Sequence, residues 1–254
     1  VGLCDPDKVY VCDDSEKDAE YIRKRALELG EEKRLAKNGQ TIHYDGYYDQ
    51  ARDKKNTKFL VSEQLMNRMG NLNCIERTKG LKEIEEIARG IMRGKEAILK
   101  LSCEGPPMSV FAIGCAQLTD SFYVAHSEDI LYRRGYEHFL RMENKDDFFR
   151  FLHSAGELDE RGCTKNLAKR RVYQDLEELI VYSMNNQYGG NSIGLKKHAM
   201  RLAIYKSRNE GWLCEHMFIM GCRNLEKKRT TYFCGAFPSA CGKTATAMIP
   251  GETI

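Results

Sequence analysis

The segment from Tyr232 to Thr244 constrains the fold more than any other part of this 254-residue sequence. It begins with an apolar, β-prone run, breaks at Gly235, continues through small residues and reaches Gly242-Lys243-Thr244 before a helix-tolerant stretch. A strand, a tight loop and a helix start in this order place backbone N–H groups, a lysine and a hydroxyl where phosphate and Mg²⁺ bind. We therefore predict a phosphate-binding loop.

This loop departs from the common G-x-x-x-x-G-K-[ST] pattern of nucleotide-binding proteins. The position five residues before Gly242 holds Phe237, and the nearer glycine, Gly235, comes two residues too early. Gly-Lys-Thr triplets also recur by chance, so an ordinary connection of a strand to a helix stays open as the alternative.

A second glycine-rich loop runs from Gln187 to Lys197, after an apolar run that ends near Ser183. Its adjacent glycines, Gly189 and Gly190, permit a close approach of the backbone to a ligand. The two lysines at its end can hold anions, or one of them can reach a metal if its amine is deprotonated. The alternative interpretation is a flexible turn with surface lysines.

Three histidines and one cysteine are further candidates for chemistry. His216 begins a predicted strand, and a neutral imidazole there suits Mn²⁺ or another transition ion, although a single histidine is more often structural. We expect structural roles for His126 and His153. Cys241 lies two residues before Lys243, where a helix start and a cation favour the thiolate, so we predict a reactive thiol. A small residue that merely fills the loop is the alternative.

Composition argues against several classes of protein. The net charge of +3 is too small to indicate nucleic-acid binding, and basic residues alternate with acidic ones along the chain. None of the ten cysteines forms a C-x-x-C pair. We expect no signal peptide, and the sequence has no run of about 18 apolar residues. We therefore expect a cytoplasmic protein with reduced thiols and with neither a membrane nor a nucleic acid as its partner.

The order of strand and helix patterns predicts an α/β fold with a mixed α+β N-terminal domain and a mixed sheet. Apolar runs predict strands over residues 8–12, 97–103, 109–115, 121–125, 171–175, 178–183, 230–234 and, as a buried strand, 215–221. Helical spacing and capping residues predict helices over residues 15–29, 59–69, 80–93, 144–152 and 196–207. The phosphate loop lies about ten residues from the last residue, where a nucleotide-binding sheet needs further strands, so we expect part of a longer enzyme.

Three motifs in this order resemble the GTP-dependent phosphoenolpyruvate carboxykinases. They are Tyr188-Gly-Gly-Asn-Ser192 with Lys196-Lys197, Glu210-Gly-Trp-Leu-Cys-Glu-His-Met217, and Ala236-Phe-Pro-Ser-Ala-Cys-Gly-Lys-Thr244. Leu118-Thr-Asp-Ser-Phe-Tyr-Val-Ala125 is similar to a further segment of that family. The short, helical region 60–95 resembles the family's archaeal branch.

The resemblance implies a substrate-binding domain over residues 1–210 and the start of a P-loop domain for nucleotide and metal over residues 211–254. The implied reaction is the reversible conversion of oxaloacetate and GTP into phosphoenolpyruvate, GDP and CO₂. Decarboxylation would give an enolate, and the γ-phosphoryl group would pass to its oxygen, which requires positioning and charge neutralisation. The implied cofactors are Mn²⁺ as the site metal and Mg²⁺ with GTP.

The resemblance also implies a role for each matching residue. The nucleotide phosphates would contact Ser239, Ala240, Cys241, Gly242, Lys243 and Thr244. The substrate would contact Arg77, Tyr188, Gly189, Gly190 and Asn191. The metal ligands from this chain would be Lys197 and His216 for Mn²⁺ and Thr244 for Mg²⁺. The residues expected to act in catalysis are Cys241, Lys196 and Tyr188.

Several points stay open in this comparison. Lys196 is the alternative metal ligand, because the spacing from Lys197 to His216 is one residue shorter than in the family. Ala245 stands where the family has Asn or Ser. The third metal ligand and the base pocket would follow Ile254, so we expect the chain alone to be inactive. A different small-molecule kinase or NTPase, or a nucleotide-binding module without enzymatic activity, remains the alternative.

Overall fold

A computed structural model describes residues 1–46, 53, 55–238 and 240–248 of the chain. The chain divides into two compact units, Val1–Leu202 and Ala203–Ile254. Ser239, one of the predicted phosphate contacts, lies outside the described residues.

The first unit contains eleven described strands and most of the helices. In chain order the strands are β1 (Lys8–Val11), β2 (Lys33–Arg34), β3 (Thr41–Ile42), β4 (Thr57–Val61), β5 (Cys74–Glu76), β6 (Glu96–Glu104), β7 (Ile113–Thr119), β8 (Arg133–Arg134), β9 (Phe148–Ser154), β10 (Arg171–Asp175) and β11 (Ile180–Met184). The helices are α1 (Glu16–Glu28), α2 (Glu63–Met66), α3 (Arg77–Ala88), α4 (Phe122–Leu131), α5 (Tyr136–Arg141) and α6 (Ser192–Glu210), which extends into the second unit.

Nine of these described strands form one mixed sheet, in the order β1-β6-β7-β9-β11-β10-β4-β5 with β8 beside β6. The neighbours β7, β9 and β11 run parallel, whereas β10 runs antiparallel to β11 and parallel to β4. The carboxyl ends of β7, β9 and β11 therefore meet at one end of the sheet. Those of β10, β4 and β5 meet at the opposite end. The mixed α/β fold expected from the sequence is confirmed.

Helices cover both faces of this sheet. Ala97 packs in a core cluster with Ile84 and Ala88 of α3, whereas its neighbour Ile98 packs with Ile22 of α1 and Phe122 of α4. Successive residues of a strand point to opposite faces. It follows that α3 lies on one face and α1 with α4 on the other.

Helix α1 forms where the capping pattern predicts it. The Ser15 hydroxyl accepts a hydrogen bond from the Asp18 backbone N–H at 3.3 Å, and Gly30 follows the helix with φ of +73°. Ile22 and Ala26 are buried on its inner side. A serine cap and a glycine in the left-handed region are the usual boundaries of a helix.

Three predictions give the wrong type of element. The helix predicted over 59–69 is a strand up to Val61, because this β-prone run pairs with both β10 and β5, and only Glu63–Met66 is helical. The helix predicted over 144–152 is β9 from Phe148, which lies between β7 and β11. The strand predicted over 121–125 is the start of α4, since the Ser121 hydroxyl accepts a bond from the Val124 N–H and caps the helix.

The second unit holds the end of α6, an antiparallel hairpin of β12 (Met217–Asn224) and β13 (Arg229–Ala236), and the short helix α7 (Lys243–Ala247). The strand predicted over 215–221 exists, but its predicted burial is wrong. Met217 and Ile219 are each about half exposed.

All ten cysteines lie in the described part of the chain, and none forms a disulfide. Among the described residues, no helix is both long enough and apolar enough to cross a membrane.

Candidate active site

The candidate site of the first unit lies where β7, β9 and β11 end together. Ligands of α/β sheets bind outside the carboxyl ends of parallel strands. After β11 the chain turns at Asn185, whose φ is +53°, and forms a loop over residues 186–191 that leads into α6. We call it the 186–191 loop. It carries four of the predicted substrate contacts.

The glycines of this region are required by contacts within the protein. A Cβ on Gly189 would lie 2.1 Å from Ser183 Oγ, and one on Gly190 would lie 2.4 Å from the His153 ring. A Cβ on Gly194 would lie 1.7 Å from the Tyr188 carbonyl oxygen. The sequence predicted a close approach of this backbone to a ligand. The structure shows a close approach to the strands beneath it.

His153 supports the loop from β9. It is fully buried, its Nε2–H donates to the Asn186 carbonyl at 2.7 Å, and its Nδ1 accepts from the Thr119 hydroxyl at 2.7 Å. Burial lowers the pKa of His153 below its ordinary value, which keeps the ring neutral. A structural role for His153, expected from the sequence, agrees with these contacts.

The Asn186 side chain holds the loop from within. Its Oδ1 accepts a hydrogen bond from the Gly189 backbone N–H at 2.7 Å and another from the Ser183 hydroxyl at 3.0 Å. Asn186 is 1% exposed. The shape of the loop is therefore determined by buried side chains before any ligand binds.

Aromatic and basic side chains gather at the junction of the loop with α6. Tyr188 is half-buried, and Lys197 Nζ lies 5.7 Å from the centre of its ring. The ring of His198 meets Tyr188 edge to face at 6.4 Å between centroids. Burial lowers the pKa of His198 to about 3, so this side chain is neutral. Lys196 is partly exposed and Lys197 is exposed.

Asn191 directly precedes α6 and is buried. Its Oδ1 accepts a hydrogen bond from the Gly194 N–H at 3.1 Å, as the capping residue of a helix does. The predicted polar contact of Asn191 with the substrate stays a prediction.

Arg77 lies at the other end of the sheet. Its guanidinium pairs with the fully buried Asp175 at 2.9 Å, where α3 begins after β5 and where β10 ends. Asp175 is opposite Ile180, the first residue of β11, whereas the 186–191 loop follows the last. The intervening strand is roughly 13 Å long. The structure therefore does not bring Arg77 to the loop, and its contact with the substrate stays a prediction.

The predicted phosphate loop connects β13 to α7 in the second unit. Ala240 and Gly242 adopt positive φ angles of 68° and 90°, and Gly242 directly precedes α7. Lys243 is only 7% exposed because its ammonium group donates to the carbonyls of Phe237 and Pro238. The Lys243 side chain therefore folds back onto the loop, and two of the loop's own carbonyl groups hold its positive charge.

Two further predicted residues of this loop lie at the surface. Cys241 and Thr244 are both exposed. A ligand can therefore reach either side chain, and a thiol reagent can reach Cys241. Strand, loop and helix follow one another as the sequence predicted. The backbone N–H groups of Lys243 and Thr244 begin the helix and are of the kind that bind phosphate.

The predicted metal ligands belong to different units. Lys197 is exposed on the second turn of α6, and His216 is exposed one residue before β12. Among the described residues, no three His, Cys, Asp or Glu side chains are close enough together to hold a metal ion. An imidazole and a neutral amine are nitrogen donors that suit a transition ion, so these two side chains fit such a metal by their chemistry.

Sequence analysis missed the polar side chains beneath the loop, above all Gln117 of β7 and Glu128 of α4. Both are 2% exposed, and Gln117 donates to Glu128 and to the Gly190 carbonyl. One available signal was a glutamine within the apolar run of β7. Glu128 gave no signal, because its burial depends on the packing of α4 on the sheet.

Comparisons with known proteins now identify relatives of the chain. The family model described as "Phosphoenolpyruvate carboxykinase N-terminal domain" matches residues 1–208. The model described as "Phosphoenolpyruvate carboxykinase C-terminal P-loop domain" matches residues 212–254.

Curated relatives named phosphoenolpyruvate carboxykinase (GTP) give the same result. The chain is 57% identical to the protein of Thermococcus sibiricus over all 254 residues, which are 40% of that protein. It is 46% identical to the protein of Saccharolobus solfataricus over 98% of the chain and 39% of the relative. For the Chlamydia pneumoniae protein the identity is 37% over 66% of the chain and 29% of the relative. The chain thus spans about 40% of the length of its most similar relatives among these.

Proposed function

The chain belongs to the phosphoenolpyruvate carboxykinase family, and from this premise we propose that the whole protein catalyses the reversible, GTP-dependent conversion of oxaloacetate into phosphoenolpyruvate, GDP and CO₂. The observation that carries this proposal is the 57% identity, over every residue of the chain, to a protein named for that activity.

We assign the 186–191 loop to the oxaloacetate or phosphoenolpyruvate side of the reaction. Tyr188 would lie against the bound substrate, with the backbone of Gly189 and Gly190 in contact with it. Lys196 would pair with an anionic group of substrate or phosphate. The loop's buried hydrogen bonds support this role, because a loop shaped in advance loses little conformational freedom when a substrate binds.

We assign residues 239–244 to the phosphates of GTP. The ammonium group of Lys243 would exchange the carbonyls of Phe237 and Pro238 for phosphate oxygens, which carry full negative charge. Thr244 would meet the nucleotide-bound Mg²⁺ through its hydroxyl. Cys241 lies between these residues and would contact the phosphates through its backbone, with its exposed thiol open to alkylation.

We further propose that Lys197, with Lys196 as its alternative, and His216 supply nitrogen ligands for Mn²⁺. Lys197 and His216 would hold a divalent cation, which would neutralise negative charge on the substrate oxygen. A lysine ligand must be neutral, and a neutral His216 fits the same requirement. A reducing, cytoplasmic compartment stays a prediction from the cysteine pattern.

Replacement of Lys243 tests the proposed function. In the full-length protein, Lys243→Met should lower the rate of phosphoryl transfer by at least about a hundredfold, because a charge that neutralises the transferring group is lost. Lys227→Met is the matched control, since Lys227 is an exposed lysine in the hairpin turn of the same unit. The assay measures oxaloacetate turnover with GTP, with and without Mn²⁺.

The same assay separates the alternative enzymes. A wild-type protein that hydrolyses GTP but does not turn over oxaloacetate would be a different kinase or NTPase. Binding of GTP without any turnover would indicate a nucleotide-binding module. Equal rates for the wild type and Lys243→Met would contradict the assignment of the phosphate loop.

A further inference from the structure

Gly190 is held in place by side chains from two different strands. The His153 ring of β9 lies directly against its α-carbon, and Gln117 Nε2 of β7 donates a hydrogen bond to its carbonyl oxygen at 3.0 Å. Both strands end at the 186–191 loop. The direction of the Gly190 carbonyl is therefore set by the sheet below it.

The Gln117 amide can do this in only one orientation. Its nitrogen donates one hydrogen to Gly190 O and the other to Glu128 Oε1, and both partners are acceptors. Its own oxygen is buried with no hydrogen-bond partner among the described residues. If the amide turned over, that oxygen would face the Gly190 carbonyl oxygen, which can only accept, and this bond would be lost. The Gly190 carbonyl thus requires the amide nitrogen, and Glu128 holds that nitrogen as its second acceptor.

Glu128 can accept this bond without bringing a charge under the loop. It is 2% exposed, and burial raises its pKa well above the ordinary value of a glutamate, so that the side chain is a neutral acid. Lys100 opposes this shift, but its ammonium group is paired with Asp129. Cys12, Cys115 and Tyr132 are the other titratable side chains that interact with Glu128. A protonated carboxyl group keeps a carbonyl oxygen that accepts from Gln117.

We propose that Gln117 and Glu128 are positioning residues for the substrate, which act through the carbonyl of Gly190 on the shape of the 186–191 loop. This inference rests on the proposed function, because it assumes that the loop contacts oxaloacetate. It predicts that the pair controls the apparent affinity for oxaloacetate. It predicts no effect on GTP, whose phosphates we assign to the other unit.

Substitutions in the full-length protein test this pair. Gln117→Leu removes the donor and should raise KM for oxaloacetate about tenfold, the effect of one buried hydrogen bond, while KM for GTP changes less than about twofold. Glu128→Leu should give the same change. The double variant should be no worse than either single variant, because both act through one interaction. Glu128→Gln keeps an acceptor oxygen and should restore nearly wild-type values.

Gln174→Leu is the matched control. Gln174 is a fully buried glutamine of β10 in the same sheet, and its side-chain atoms contact none of the loop residues through hydrogen bonds. The same substitution there should leave KM for oxaloacetate unchanged. If Gln117→Leu does not fold, Gln117→Asn replaces it, since this shorter amide cannot reach both acceptors.

The outcomes separate this inference from the proposed function. An active wild type whose KM for oxaloacetate is unaffected by loss of Gln117 overturns the inference alone. So does a Glu128→Gln variant as impaired as Glu128→Leu, or an equal rise in KM for the Gln174→Leu control. A wild type that does not convert oxaloacetate with GTP overturns the proposed function and this inference together.

Discussion

Gly190 shows at the residue scale how packing inside the protein determines a residue that looks functional in the sequence. Adjacent glycines predict a backbone that approaches a ligand closely. In the structure the missing side chain makes room for the His153 ring, which two hydrogen bonds hold in position. The glycine is therefore needed to seat the loop on the sheet, whatever the loop binds.

The first prediction concerns this contact. Gly190→Ala would place a Cβ 2.4 Å from the His153 ring, and a ring fixed from both nitrogens cannot move aside easily. We expect a loss of about 1–3 kcal/mol in the free energy of unfolding, as for other overpacked sites. Thermal and urea unfolding of the full-length protein measure it. Gly2→Ala is the control, because nothing lies within 4 Å of that position. Equal stability of the two variants would contradict the described packing.

At the scale of elements, the β10–β11 hairpin separates two polar sites. Asp175 pairs with Arg77 at its turn, and the 186–191 loop begins at its open end. Asp175 is fully buried, so its negative charge requires the arginine. This arrangement favours a structural role for Arg77 over the predicted contact with the substrate.

The second prediction distinguishes these roles. Arg77→Met should lower the free energy of unfolding by about 2–3 kcal/mol, less than for a fully buried pair because the arginine is 26% exposed. KM for oxaloacetate should change less than about twofold. The control is Arg89→Met, which removes an exposed arginine from the same region of the chain. A large rise in KM with unchanged stability would support the substrate role instead.

At the scale of the whole molecule, buried acids make stability depend on pH. Glu104 is partly buried, and its Oε2 has no hydrogen-bond partner among the described residues. Burial raises the pKa of Glu104 from 4.5 to about 7. Between pH 4.5 and about 7, the Glu104 carboxyl group keeps its proton in the folded protein, whereas the same group in the unfolded chain releases it. Stability from this group is therefore present below pH 4.5 and is lost as the pH rises through 7.

The third prediction follows from this sign. Glu104→Gln should leave the free energy of unfolding nearly unchanged at pH 5 and raise it by about 2 kcal/mol at pH 8, because the variant has no proton to lose. Urea unfolding at both pH values measures the difference. Glu143→Gln, at an exposed glutamate, should show no such dependence on pH. A gain of equal size at both pH values would contradict the raised pKa.

Local patterns in the sequence determined much of this protein. The Ser15 cap, the Gly-Lys-Thr triplet at the start of α7 and each of the three family motifs depend on residues that lie close together in the sequence. Such signals do not depend on how the rest of the chain folds. They were therefore sufficient for the mixed α/β class, for several elements and for the family.

Only the tertiary structure decided which side chains meet. The strand from Phe148 exists because β7 and β11 lie on either side of it, and Arg77 is held at the far end of the sheet by Asp175, about a hundred residues away in sequence. Gln117 and Glu128 come together because α4 packs on the sheet. Contacts between distant residues depend on strand order and register, which the spacing of residues in one segment does not contain.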